Sequence, residues 1–214
     1  MLISDFLSDI PLPNGNIYYH LHHDDSIFVH GKVFNRKFLI DNDIKWHPEL
    51  YEHQDSPFNI LARCCAKNAK IFTIPFYMWK FNKNSVSRKD RKYHVAKTWV
   101  HMMDSYDALV SDLRDRGMGN YASYYAKYCL YATYFELSRD VWQENTLWEY
   151  RRAVYLRIVE FYNKYKLLIA NVSEEQTEKI IKITRELTEK RGKLNYMPPF
   201  DEWLNAILTI WRTV

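Results

Sequence analysis

The chain has 214 residues, enough to bury a sizeable core, and its 47% hydrophobic and 26% charged residues are ordinary for a globular protein. Thirty Lys/Arg against 26 Asp/Glu give a net charge of +4, too even a balance for a protein that binds nucleic acid by charge alone. Only five glycines, beside seventeen Tyr, eleven Phe and seven Trp, favour long helices over a turn-rich sandwich.

Met1 to Pro13 carries Asp5 and Asp9 and no basic flank, which reads as neither a signal peptide nor a membrane anchor. Pro11, Pro13, Asn14 and Gly15 mark a turn, and Asn16 to Leu21 is a strand candidate. Asn35 to Asp41 reads as a short helix carrying Phe38 and Leu39, and Ile44 to His47 as an extended piece closed by Pro48. From Asp55 to Ala69, the spacing of Phe58, Leu61, Ala62 and Cys65 fits one helical face. Ile71 to Trp79 reads as a strand, with Pro75 disfavouring a central position. Residues 80–92 form a polar loop with six basic residues and one acid, a patch suited to a phosphate-bearing ligand.

Near Tyr93 the pattern changes to helical. Trp99, Val100, Met103, Tyr106, Leu109, Val110 and Leu113 recur at helical intervals up to Gly117. Tyr121, Tyr124, Tyr125, Tyr128, Ala132 and Phe135 trace a second helix, and a third is expected from Glu144 to Ala170. Ser173 and Gln176 form a capping box for a fourth, ending near Gly192. After Pro198-Pro199, a last amphipathic helix carries Trp203, Leu204, Ile207, Leu208 and Trp211. The expected division is therefore 1–92, a mixed segment, and 93–214, a helical extension packed on it.

Cys64, Cys65 and Cys129 have no metal-ligand spacing and read as free thiols of a reducing cytoplasm. No apolar run reaches 18 residues, so no transmembrane segment is expected. His22-His23-Asp24-Asp25 does not converge on one face of an extended chain, and no metal ligands are assigned.

His53-Gln54-Asp55-Ser56-Pro57-Phe58 follows His30-Gly31-Lys32 by about twenty residues. Between them lie Val33 to Leu39, a hydrophobic, basic and Phe-Leu pattern, and Asn42 to Trp46. Tyr77-Met78-Trp79 and the cationic loop follow. In this order and spacing, roughly residues 4–92 resemble the second half of the catalytic domain of family-two inverting glycosyltransferases of the GT-A type. The resemblance implies an α/β fold, a partial GT-A core with a largely helical C-terminal region. It implies transfer of a sugar from a nucleotide sugar to an acceptor hydroxyl of a glycan or protein.

In that family an acidic pair opens a helix beneath the acceptor, and its Asp is the general base. Asp55 matches this Asp, while Gln54 stands where the family has Glu. His30, Gly31, Lys32, His53 and Gln54 match the acceptor side, and Lys80, Lys83, Ser85 and Arg88 the loop that meets the donor diphosphate. The family's nucleotide-binding half and its Asp-x-Asp metal motif have no counterpart in the sequence. Mg²⁺ or Mn²⁺ with the nucleotide sugar is thus expected only if the chain is catalytic. A non-catalytic interaction protein built on such a remnant, contacting a protein partner or a second copy through Tyr and Trp, stands as the alternative.

Overall fold

The computed structural model describes residues 7–11, 32–50, 52–72 and 91–211, with backbone alone for 7–11, 68–72, 91–95 and Asn145. Strand β1 (Leu7–Pro11) pairs antiparallel with β2 (Asn68–Phe72), Leu7 opposite Phe72 and Pro11 opposite Asn68. The helices are α1 (Arg36–Asp41), α2 (Asp55–Cys65), α3 (Arg91–Asp115), α4 (Gly119–Leu137), α5 (Trp148–Ala170), α6 (Glu174–Glu189) and α7 (Phe200–Ile210). Two 3-10 turns, Asp140–Gln143 and Asn145–Leu147, join α4 to α5.

The expectation of an α/β fold with a partial GT-A core is overturned. Among the described residues the protein is mainly helical, and the one strand pairing is the two-stranded antiparallel ribbon. A parallel core sheet needs several strands linked by helical crossovers, and no described segment supplies that arrangement. Among the described residues, aromatic side chains such as Tyr106, Tyr128, Tyr134 and Trp203 fill helix–helix contacts instead.

Helix α4 is central and packs against α3, α5 and α6. It is buried on nearly every side, from Ala122 to Ala126, from Tyr128 to Thr133, and at Glu136 and Leu137. A helix apolar all round belongs inside a bundle. Tyr124, Tyr125 and Tyr128 stack edge-on or offset within it, and Tyr106 of α3 joins them with its ring centroid 5.7 Å from that of Tyr128. Burial pushes the hydroxyls of Tyr106 and Tyr125 well above the ordinary tyrosine range. On α4, Tyr131 stacks on Phe200 at 4.0 Å and Tyr134 meets Trp203, which docks α7.

The hydrophobic core runs without interruption from Ile44 and Phe58 to Leu208, so residues 44–65 share one interior with the bundle. Asn35 caps α1 by accepting from the amides of Lys37 and Phe38. Ser173 caps α6 by accepting from the amide of Gln176, one half of the expected capping box. Gly117 takes φ +72 and closes α3, a conformation that favours glycine.

Two boundaries differ from the sequence pattern. Helix α2 stops at Cys65 rather than Ala69, because Ala66 turns extended and the chain enters the β1–β2 ribbon at Asn68. Helix α5 starts at Trp148 rather than Glu144. The preceding residues form the 3-10 turns, which bury Trp142 and Leu147 completely or nearly so. The strand candidate at residues 16–21, most of the strand at 71–79 and the loop before residue 91 lie outside the described residues.

Candidate functional site

Asp55 is the first residue of α2 and is half-buried. Gln54 precedes it in a helical backbone conformation, without a side-chain cap, and its amide donates to the carbonyl of Leu50. His53 takes φ +60, a left-handed conformation uncommon for a residue with a side chain. Its carbonyl accepts from the amide of Ser56 at 3.3 Å and from the hydroxyl of Ser105 at 2.9 Å. The chain thus reverses at His53 and enters α2 with Asp55 on the first turn, where the helix N-terminus favours negative charge.

The segments before Asp55 converge on the same helix. Phe58 of α2 meets Phe34 in a T-shaped contact at 5.2 Å and stacks on Trp46 at 4.3 Å, those two rings nearly parallel. Ile44 and Leu50 of the same segment are buried. Lys32 lies at the start of this region and is half-buried. The structure therefore places His53, Gln54 and Asp55 together at the head of α2, while Lys32 stands two residues before Phe34, whose ring meets Phe58. His30, Gly31, Lys80, Lys83, Ser85 and Arg88 lie outside the described residues.

A cleft of about 520 Å³ opens beside this region, lined by His47, Glu49 and Glu52 from the loop and by His101, Asp104 and Asp112 from α3, with Lys164 of α5 at its edge. Asp55 does not line it. Several of its charged groups pair with one another, while the buried Oε2 of Glu52 has no hydrogen-bond partner among the described residues. His47 meets Glu49 through Nδ1 at 2.8 Å and Asp112 through Nε2 at 2.9 Å. Arg157 pairs with Asp104 at 2.9 Å, and Lys164 with Asp107 at 2.8 Å. Burial opposes the charged form of His47, but the two carboxylate hydrogen bonds outweigh it and raise its pKa above the ordinary value.

Among the described residues no group of three His, Cys, Asp or Glu side chains is arranged to hold a metal ion, so they offer no ligand set for Mg²⁺ or Mn²⁺. Cys64, Cys65 and Cys129 are free, and burial raises all three thiols, which makes them poor nucleophiles. Among the described residues no helix is long and apolar enough to cross a membrane.

No family model, curated protein or solved structure matches the chain.

The sequence pattern does not single out Ser105, Asp112 or Arg116, which hold the loop before Asp55 from the far side. Arg116 binds the carbonyls of Asn42 and Asp43, the latter at 2.7 Å. The only signal in the sequence is their shared helical face, at intervals of seven and four residues.

Proposed function

We propose that residues 32–65 form the acceptor side of a sugar-transfer site, with Asp55 as general base. The observation that carries this reading is the convergence of Phe34 and Trp46 on Phe58. It gathers two of the resembling segments, those carrying Phe34 and Trp46, around the helix whose first turn holds Asp55. In the proposed reaction an acceptor hydroxyl oxygen attacks the anomeric carbon of a nucleotide sugar. The bond from that carbon to the diphosphate breaks, and the nucleoside diphosphate leaves with the electron pair. Asp55 takes the hydroxyl proton. Lys80, Lys83, Ser85 and Arg88 meet the departing diphosphate, since cationic and hydroxyl donors stabilise charge developing there. The remaining donor contacts come from a nucleotide-binding unit other than the helical bundle.

The test is calorimetry against a panel of nucleotide sugars, with and without Mg²⁺ or Mn²⁺, followed by transfer assays on the donor that binds. The expected result is donor binding weakened by Arg88→Ala, with transfer reduced about 10²- to 10⁴-fold by Asp55→Asn, the usual contribution of a general base. Transfer indifferent to Asp55→Asn, or no binding of any nucleotide sugar, would sink the proposal.

A second reading, a non-catalytic interaction protein, draws on a different place. Trp148 is 47% exposed and sits by Trp211, which also meets Tyr155, while Arg151 and Arg152 lie over the two indoles. Amphipathic aromatic and Arg side chains are common anchors of protein interfaces. Light scattering separates the two readings: a concentration-dependent rise in mass abolished by Trp148→Ala, without donor binding, supports the second.

A further inference from the structure

Among the described residues two non-glycines have left-handed backbones, Asp43 at φ +48 and His53 at φ +60. Such conformations persist where surrounding contacts over-determine them, and they often mark functional turns. Both are held by the same face of α3 and its C-terminal extension. Arg116 binds the carbonyl of Asp43 at 2.7 Å, and Ser105 donates to the carbonyl of His53 at 2.9 Å. Between these ties, Asp112 holds His47 at 2.9 Å. Ser105, Asp112 and Arg116 follow at intervals of seven and four, so they form one stripe along the helix.

We propose that Ser105 is a positioning residue for Asp55, and that the helical bundle serves the site by clamping the turn from which Asp55 projects. The inference rests on the sugar-transfer reading for its chemistry and on geometry for its mechanics. Ser105 is only 1% exposed, so its hydroxyl has no ready substitute partner in water. Its acceptor is the carbonyl that also receives the Ser56 amide, the first backbone bond of the turn into α2. A free His53 turn would relax towards an ordinary right-handed or extended backbone. That change rotates the first turn of α2 and swings the Asp55 carboxylate away from a fixed acceptor hydroxyl. Misplacement of a reacting group by about 1 Å can cost on the order of 10²-fold in rate.

The test compares Ser105→Ala with Ser105→Thr and with Ser138→Ala. Alanine is a better helix former than serine, so Ser105→Ala does not oppose the folding of α3. Ser138 is also buried, but its hydroxyl bonds only to the carbonyl of Phe135 within its own turn, which makes it a control for loss of a buried serine. In Ser105→Ala, hydrogen exchange of the Ser56 and Phe58 amides quickens about tenfold, the effect of one buried hydrogen bond. Amides in the middle of α4 keep their protection. With the donor that the panel identifies, kcat falls while KM stays within about twofold, as for an interaction used in the transition state. Ser105→Thr restores both readouts, and Ser138→Ala changes neither. Unaltered exchange at Ser56 and Phe58 in Ser105→Ala overturns the inference. Quickened exchange together with transfer indifferent to Asp55→Asn leaves the clamp in place and removes the sugar-transfer reading instead.

Discussion

Glu136 is fully buried near the C-terminus of α4, and its replacement is the most demanding test of the bundle. Its Oε1 lies 2.6 Å from Nη1 of Arg139 and accepts from the indole nitrogen of Trp142 at 3.2 Å. Its Oε2 lies 3.3 Å from Nη2 of Arg191, whose guanidinium also covers Trp99 at 5.3 Å. Arg139 in turn donates to the carbonyl of Arg191 at 2.9 Å, so one carboxylate ties α4, the first 3-10 turn and the end of α6 together. Glu136→Ala leaves the Arg139 guanidinium, 11% exposed, without its counter-charge, and leaves the Trp142 indole without an acceptor. Removing one partner of a buried ion pair costs about 3–5 kcal/mol. The half-exposed Arg191 adds no more than about 1 kcal/mol, because solvent screens it. At a urea slope of about 2 kcal/mol/M, a loss of about 4 kcal/mol lowers the unfolding midpoint by roughly 2 M. Urea titration followed by circular dichroism measures it directly. Glu136→Leu combined with Arg139→Met is expected to recover most of the loss, since an apolar pair removes both charges at once. A cost below about 1 kcal/mol for Glu136→Ala, or a double variant no better than the single, would refute the account of a buried charge that needs its partner.

His47 gives a pH signature. Its folded pKa is raised, so the stability it contributes is fully present below the unfolded value of about 6.5 and is lost as pH rises through the folded one. The gap in urea midpoint between the natural protein and His47→Gln is therefore expected to be wide near pH 5.5 and to close in alkali; a gap that grows with pH contradicts the Glu49–His47–Asp112 bridge. Ser173→Ala removes the acceptor for the Gln176 amide and should cost about 1 kcal/mol, read as a lower thermal midpoint, while Ser173→Asp should restore it.

Much of the bundle is legible in the sequence. Tyr124, Tyr125 and Tyr128, and likewise Trp203, Leu204, Ile207 and Leu208, repeat at helical spacing and are buried together. Asn35 and Ser173 announce the helices they cap because capping acts over two or three residues. The fold class was not legible. The α/β expectation comes from the resemblance of residues 4–92, and a short apolar run such as Ile71 to Trp79 carries no local signal of how many strands pair with it. The start of α5 was also misplaced, because the burial of Trp142 depends on Glu136 six residues away and on the docking of α6.

At the site, Asp55 is marked by its place before Phe58, a local pattern. The contacts that hold it are not local: Ser105 and His53 are 52 residues apart, and His47 and Asp112 are 65 apart. Residue order alone specified the helices and the acid at the head of α2, because hydrogen bonding within a helix reaches only the next turn. Which face of α3 would grip the loop, and which carboxylate would be sealed inside against Arg139, was decided by packing. Distant side chains acquire neighbours only when the chain has closed around its core.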